Sequence, residues 1–192
     1  SLPTDLFRYN TSVSAQAFQS TFFLSGLTSI PASLFQYNTN VSGNAFVNTF
    51  LNCKSLTAIP ADLFKFNTGA TVGAFASTFK DCTSLTAIPV DLFRFNTALT
   101  TGAFQATFQG CTAITSIPVD IFRYNTSLTS TAFGNTFNGC TGITSLPLDM
   151  FRYNASVSLG AFTATFSGCV NLATIPANLF QYNTAVSSDA FS

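Results

Sequence analysis

Charged side chains recur at fixed places along this chain, where they could form ion pairs or bind a metal ion. An aspartate precedes a cation by three residues in five places: Asp5 with Arg8, Asp62 with Lys65, Asp91 with Arg94, Asp120 with Arg123, and Asp149 with Arg152. Two places lack both members: Ser33 with Gln36, and Asn178 with Gln181. Because the members are lost together, we expect surface ion pairs, each worth about 0–1 kcal/mol. A calcium-binding row of carboxylates is the alternative, but every aspartate already has a cation beside it, so we predict no metal site.

Five cysteines form the second recurring set. They are 29 residues apart, at Cys53, Cys82, Cys111, Cys140 and Cys169. A zinc site needs ligand pairs about two to four residues apart, so this spacing does not indicate zinc. Five is an odd number, so the thiols cannot all pair within the chain. We expect a column of small, buried, reduced thiols, with disulfides between repeats as the alternative.

The composition excludes several functional classes. The chain has no histidine, so the commonest general base is absent, and no Gly-rich phosphate loop is present. We therefore predict that it is not an enzyme and uses no cofactor. Its net charge is zero, which argues against nucleic acid as a partner. No apolar run reaches the ~18 residues that span a bilayer, so we predict no membrane insertion.

An internal repeat must position all of these residues. Successive prolines are 28 residues apart once and then 29 apart five times, and the cysteines keep the same register. A fixed period of this size is typical of a solenoid or a propeller. We predict one solenoid domain over residues 1–192, with six full repeats and a partial seventh. Because the chain opens within a repeat, on "SLPTDLF", we expect it to be a mature chain or part of a longer chain or assembly.

Each repeat divides into three predicted elements. The β-branched "LTSI" before proline predicts a strand of about three or four residues. "PxDLFRYN" predicts one or two helical turns, which asparagine ends. A hydroxyl residue such as Thr100 should cap a helix over "AFxxTF", and a glycine such as Gly110 should close it. The predicted fold class is an α/β repeat solenoid with one short parallel strand and two short helical segments per 29-residue repeat.

Phenylalanine supplies most of the predicted core. Of 23 phenylalanines, 20 fall in three columns, which are the "LF", "AF" and "TF" positions. If the repeats stack, each column becomes a line of rings inside the solenoid, since burying one Phe is worth about 1.5–3 kcal/mol. A near-constant asparagine follows the "LF" column and creates glycosylation sequons at Asn10, Asn125 and Asn154. We expect a buried, hydrogen-bonded asparagine row rather than glycan sites.

The segments "TFKDCTSLTAIP" and "TFQGCTAITSIP" carry a family resemblance. They resemble the bacterial surface leucine-rich repeats called BspA-like, in which a cysteine precedes a short strand. The present repeat is longer because of the added "PxDLFRYNT" segment. Similar arrays occur in phage tail and host-surface proteins. The resemblance implies a leucine-rich-repeat-like solenoid with a parallel sheet on one side, outside the cell or on a virion, that adheres to a protein or a glycan.

Two functions follow from these patterns. The first is adhesion or recognition of a protein or glycan through outward-pointing threonines of "LTxI": Thr57, Thr86, Thr115 and Thr144. Positions that vary after the cysteine, such as Lys54, Thr83 and Thr112, are further candidates. Ordinary β-propensity on a solvated face is the competing explanation of the threonines, and ice binding by a flat Thr/Ser array is a third idea. The second function is a structural spacer or a fibre of copies stacked head to tail, because the repeats are nearly interchangeable.

Overall fold

The chain winds into a solenoid in which each repeat forms one coil. The computed structural model describes residues 2–187 and 189–191. Hydrogen bonds join residues about one repeat apart, as between the Asn96 side chain and the carbonyl of Asn67. Phenylalanine rings stack in the same direction, so that Phe79 lies 5.8 Å from Phe108. The predicted stacking of repeats is therefore present.

Turns take the place of the predicted helices and strands. The described residues contain turns and extended segments, but no α-helix and no β-strand. A representative coil has turns at 90–95, 97–98, 101–110 and 112–113, followed by an extended segment at 114–118. The predicted strand lies in this extended segment, and both predicted helices lie in turns. The element types that we predicted for each repeat are therefore not confirmed by the described residues.

Hydrogen bonding explains why the "AFxxTF" segment is not a helix. Within it, alternate N–H groups donate to the carbonyl three residues earlier, as from Thr107 to Phe104 at 3.1 Å. The intervening N–H groups donate to the next coil, as from Phe104 to Ala132 at 3.0 Å. An α-helix would use all of these groups internally, four residues apart. Here the segment is a series of turns that also forms a ladder between coils.

Left-handed backbone positions recur every four residues in this segment and keep the turns regular. Gly102, Ala106 and Gly110 have φ values of 61°, 55° and 72°. Glycine adopts this region readily, whereas the left-handed conformation costs other residues about 1–2 kcal/mol of free energy. Gly110 therefore sits in the left-handed conformation expected of a helix-ending glycine, but within a turn. The hydroxyl of Thr129, one of the predicted helix caps, pairs with the Thr101 hydroxyl at 2.9 Å.

The three phenylalanine columns form the core, as predicted. Phe93, Phe104 and Phe108, one from each column, are completely buried. Rings within a column lie nearly parallel, with Phe75 and Phe104 inclined by 10°. Rings of different columns are tilted, and Phe93 lies 4.6 Å from Phe104 at 56°. Both arrangements are favourable for aromatic pairs, so each ring stabilises its own coil and its neighbours.

A polar residue follows each core phenylalanine by three positions and joins the coils. Within a coil, the N–H of Asn96, Thr107 or Cys111 donates to the carbonyl of the phenylalanine three residues earlier. The three side chains donate to the equivalent phenylalanine carbonyls of the preceding coil, at 3.1 Å for Asn96, 2.8 Å for Thr107 and 3.1 Å for Cys111. The motif F-x-x-(N/T/C) thus occurs three times per coil.

The asparagine row is buried and hydrogen-bonded, as predicted. Asn96 also donates to the carbonyl of Asn67 at 2.9 Å, so its amide uses both hydrogens. Two residues of the predicted sequons, Asn125 and Asn154, belong to this row and are fully buried. The third, Asn10, is exposed. In the folded chain, burial keeps Asn125 and Asn154 from serving as glycan acceptors.

Substitution of the buried asparagine should be costly. We expect Asn96→Ala to lower the free energy of unfolding by about 2–4 kcal/mol, because two buried carbonyls each lose a side-chain partner. Asn96→Asp should cost at least as much, since its oxygens face the same two carbonyls. Denaturant unfolding measures the effect. Thr97→Ala, at the next and exposed position, is the control and should change stability by less than about 0.5 kcal/mol. Equal stabilities of the two alanine variants would contradict the role of the asparagine.

Thr131 should be strained by its backbone conformation. It has a φ of 53°, where the equivalent residues of the two preceding coils are Gly73 and Gly102. We expect Thr131→Gly to raise the free energy of unfolding by about 0.5–1 kcal/mol, because a β-branched residue is disfavoured there. The reverse change, Gly102→Thr, should lower it by about 1–2 kcal/mol. Thermal unfolding of both variants provides the test, and a destabilised Thr131→Gly protein would show that the conformation carries no strain.

Candidate functional site

The four predicted contact residues form one exposed row, which we call the Thr face: Thr57, Thr86, Thr115 and Thr144. Each occupies the same position of the extended segment in a successive coil. The hydroxyl of Thr57 donates to the carbonyl of Thr28 at 3.4 Å, and that of Thr86 donates to the carbonyl of Thr57 at 3.3 Å. These bonds use the hydroxyl hydrogens and leave oxygen lone pairs available to an external donor.

Buried neighbours fix the direction of the Thr face. Leu85 and Ile88 flank the exposed pair Thr86 and Ala87, and their side chains are 0% and 5% exposed. The pattern buried–exposed–exposed–buried therefore anchors both ends of the segment in the core. One backbone bond supports it, from the N–H of Thr86 to the carbonyl of Thr57 at 3.3 Å. The threonines are thus held outward by the burial of the residues on either side of them.

Aliphatic side chains border the Thr face. Val90, Val119 and Leu148 follow the proline in three successive coils and are each more than half exposed. No charged residue lies between Cys82 and Val90. The varying residues after the cysteines differ in exposure, since Lys54 and Thr112 are exposed and Thr83 is half-buried. The surface is therefore an uncharged strip of hydroxyl and methyl groups.

The aspartate–cation pairs lie on another surface of each coil. Asp62 and Lys65 are 3.5 Å apart, Asp91 and Arg94 are 3.9 Å apart, and Asp120 and Arg123 are 3.7 Å apart. In each of these three pairs the two side chains face each other. We predicted this because two other coils lack both members of the pair. Asp149 instead accepts a hydrogen bond from the Gln181 amide of the next coil at 3.3 Å. The pairs are about half exposed, so each contributes little to stability.

An aromatic column runs beside the cations and was not predicted as a contact surface. Arg94 lies 5.5 Å from the ring centre of Phe95 in its own coil and 5.5 Å from that of Tyr124 in the next. Arg123 contacts Tyr124 and Tyr153 in the same way, at 5.6 and 5.5 Å. The sequence signal was the recurring dipeptide of a cation and an aromatic residue. Because Phe95 and the tyrosines make the same contact, the hydroxyl is not needed for it.

We call this surface the charged stripe. It comprises three columns, whose members are the aspartates Asp5, Asp62, Asp91, Asp120 and Asp149; the cations Arg8, Lys65, Arg94, Arg123 and Arg152; and the aromatic residues Tyr9, Tyr37, Phe66, Phe95, Tyr124, Tyr153 and Tyr182. The five cations each lie within 6 Å of two rings, one in the same coil and one in the next. Cation–π contacts of this kind stabilise exposed sites by about 0.5–1 kcal/mol.

The cysteines are buried, unpaired thiols. Each Sγ–H donates to a phenylalanine carbonyl, as from Cys140 to Phe108 at 3.0 Å. Burial raises the pKa of Cys82 and of Cys140 from 9.0 to about 12 and also raises the pKa of Cys111. A protonated, buried thiol is a poor nucleophile, which leaves the column with a structural role.

Neither a metal cluster nor a membrane-spanning helix is found among residues 2–187 and 189–191. No three histidine, cysteine, aspartate or glutamate side chains within those ranges lie close enough together to hold an ion. In the same ranges, no helix has the length and apolarity needed to cross a bilayer.

Comparison with solved structures identifies the fold. The chain is similar to a chain of the Toll–Spätzle complex of Drosophila, with a TM-score of 0.51 and 18% identity, over 96% of this chain and 24% of that one. A leucine-rich repeat protein from Bacteroides ovatus is 21% identical over 91% of this chain and 43% of its own, with a TM-score of 0.40. The leucine-rich repeat protein of T. pallidum is 18% identical over 94% of this chain and 79% of its own, with a TM-score of 0.38.

The likeness to the Toll complex chain shows a leucine-rich-repeat solenoid fold. The present chain spans less than half the length of that chain and of the Bacteroides protein. No protein-family model matches the chain, and no curated protein matches it.

The thiol column should make stability depend on alkaline pH. Below pH 9 the thiols are protonated in both states, so their contribution to stability is complete. Between about pH 9 and 12 the unfolded chain loses thiol protons that folded Cys82 and Cys140 retain. The free energy of unfolding should therefore fall with rising pH, by up to about 1.4 kcal/mol per thiol per pH unit.

Denaturant unfolding at several pH values measures this slope. The double variant Cys82→Ala/Cys140→Ala keeps every other residue of the chain, so the difference between the two proteins isolates the thiols. We expect a shallower slope in the variant. Identical slopes would mean that these thiols ionise as easily in the folded chain as in the unfolded chain.

Proposed function

We propose that this chain is a non-enzymatic recognition module that adheres to a protein or a glycan. The observation that carries this proposal is the Thr face, an uncharged row of exposed hydroxyls held in register over successive coils. Hydroxyl oxygens accept hydrogen bonds from a partner, and the bordering Val119 and Leu148 add apolar contact area. An exposed apolar strip beside polar groups is typical of an interaction surface.

The location and kinship form part of the same proposal. The "GC" and "AF" motifs support a BspA-like protein, exposed on a bacterial surface or a virion, in which residues 1–192 are one solenoid domain of a longer chain. A chain of the Toll–Spätzle complex is similar to this chain, which supports a protein partner for a solenoid of this fold. A structural spacer or a head-to-tail fibre stays an alternative prediction.

Substitution of the Thr face should abolish binding. We expect the double variant Thr86→Glu/Thr115→Glu to bind at least about 10-fold more weakly than the original chain, because it adds two charges to an uncharged contact surface. The matched control is Thr97→Glu/Thr126→Glu, which makes the same change at exposed threonines of neighbouring coils, just after the asparagine row. The control should bind normally.

Binding is measured with labelled protein on a glycan microarray and on immobilised fibrinogen, fibronectin, collagen and mucin. Circular dichroism of each variant checks that it is folded. Equal loss in the two double variants, or no loss in either, would place recognition elsewhere on the chain. Failure of the original chain to bind any glycan or protein probe would count against an adhesive role.

A further inference from the structure

The charged stripe has the composition of a binding surface. Tyrosine and arginine are enriched among the residues that dominate protein interfaces. Tyr124 and Tyr153 are 37% exposed and Phe66 is 46% exposed, although they are large aromatic residues. The neighbouring Asp91 and Arg94 side chains are each 49% exposed. The stripe therefore presents apolar rings and both signs of charge to solvent.

The charged stripe is also ordered before any partner arrives. Each arginine lies between two rings, as Arg123 does between Tyr124 and Tyr153. Asp120 also lies 3.7 Å from Arg123. Long side chains normally lose conformational entropy when they bind. Here the side chains lose this conformational entropy when the chain folds, so each contact with a partner contributes more to the free energy of binding.

The repeat period limits the partners that can use several coils. In the "TF" column the rings of neighbouring coils are between 5.3 Å apart, from Phe22 to Phe50, and 5.8 Å apart, from Phe108 to Phe137. A partner with a different period would meet one coil well and the next one poorly. A partner with the same period gains from every coil at once. A second copy of this chain has that period by identity.

We propose that the charged stripe pairs two copies of this chain side by side. The aspartate and cation columns run next to each other along the solenoid, three residues apart in each coil. In a parallel pair, the two solenoid axes run in the same direction and a twofold axis between the copies is parallel to them. This arrangement places the aspartate column of each copy opposite the cation column of the other copy. In an antiparallel pair, the aspartate columns lie opposite each other and so do the cation columns. Parallel pairing is therefore the complementary arrangement, and the contact is isologous.

Two uncharged coils define the register of this pair. Ser33 and Gln36 replace the ion pair in one coil, and Asn178 and Gln181 replace it in another. In register, uncharged coils meet each other and every charged coil meets a charged coil. A shift by one coil sets a neutral coil opposite a charged one and leaves charges desolvated without a partner, which is costly. The pairing goes beyond the proposed recognition function and does not depend on it.

The ring faces favour a second copy over a sugar chain. A sugar that stacks on tyrosine needs a free ring face, whereas Tyr124 and Tyr153 each have a cation on either side along the solenoid. The exposed parts are ring edges and charged groups, which suit a surface that offers the same groups in return.

Charge exchange between two variants tests the pairing. Arg94→Glu/Arg123→Glu makes the middle of the stripe acidic, and Asp91→Arg/Asp120→Arg makes it basic. Sedimentation velocity should show a dimer of the original chain that weakens as salt rises. Each variant alone should dimerise at least about 100-fold more weakly, and an equimolar mixture should restore the dimer. Lys54→Glu/Lys80→Glu is the control, because it changes the net charge as the acidic variant does but lies off the stripe; it should dimerise like the original chain.

Orientation is tested with a photo-crosslinking residue in place of Tyr153. In the parallel pair it should label the partner within 147–155, whereas an antiparallel pair would label 60–67. A monomer at every concentration, a dimer that both variants leave unchanged, or a mixture that stays monomeric would overturn the proposal. Labelling of 60–67 would overturn the parallel arrangement. Binding of a polysaccharide probe by a strictly monomeric chain would assign the stripe to a glycan instead.

Discussion

The carbonyl oxygen of a core phenylalanine such as Phe104 accepts two hydrogen bonds, and the second of them joins two coils. The first donor is the backbone N–H three residues later in the same coil, as from Thr107 to Phe104. The second is a polar side chain of the next coil, as from Thr136 to the same carbonyl at 2.8 Å. A buried carbonyl needs partners, and the backbone ladder between coils donates to other carbonyls, such as that of Ala132. Asparagine, threonine and cysteine fill that need at three places in every coil.

The spacing of this hydrogen-bonding scheme also determines where the exposed surfaces of the solenoid lie. Because ring and polar side chain are three residues apart, the short turn that buries the ring also turns the polar group towards the preceding coil. In the "LFRYN" unit the two residues between them are exposed, and these are the cation and the aromatic residue of the charged stripe. The Thr face arises in the same way between buried Leu85 and Ile88. Both candidate surfaces are therefore by-products of how the core closes.

Much of the fold could be predicted from the sequence. The period, the three phenylalanine columns, the buried asparagines and the half-exposed ion pairs all depend on strict repetition, which is visible without a structure. The helix over "AFxxTF" was predicted because rings four residues apart fit one helical face. Left-handed positions at Ala106, Asn135 and Ala164 interrupt that segment. Asparagine is a residue type that adopts this region, whereas alanine gives no signal of it. We did not predict the cation–π ladder, because half of its contacts join a cation to the ring of the next coil. The sequence shows only the other half, which is the cation followed directly by an aromatic residue in each coil.

The contacts between coils are almost the same at every boundary. Asn67, Asn96 and Asn125 each donate to the preceding coil at 2.9 Å, and the backbone ladder runs in the opposite direction, from Phe104 to Ala132 and from Phe133 to Ala161. Each coil therefore has the same surface towards the preceding coil and the complementary surface towards the following coil. Loss or duplication of a whole 29-residue unit leaves two matching surfaces in contact. Such a gene can change the length of its product by recombination between repeats, and so adjust the reach of the solenoid without redesigning its core.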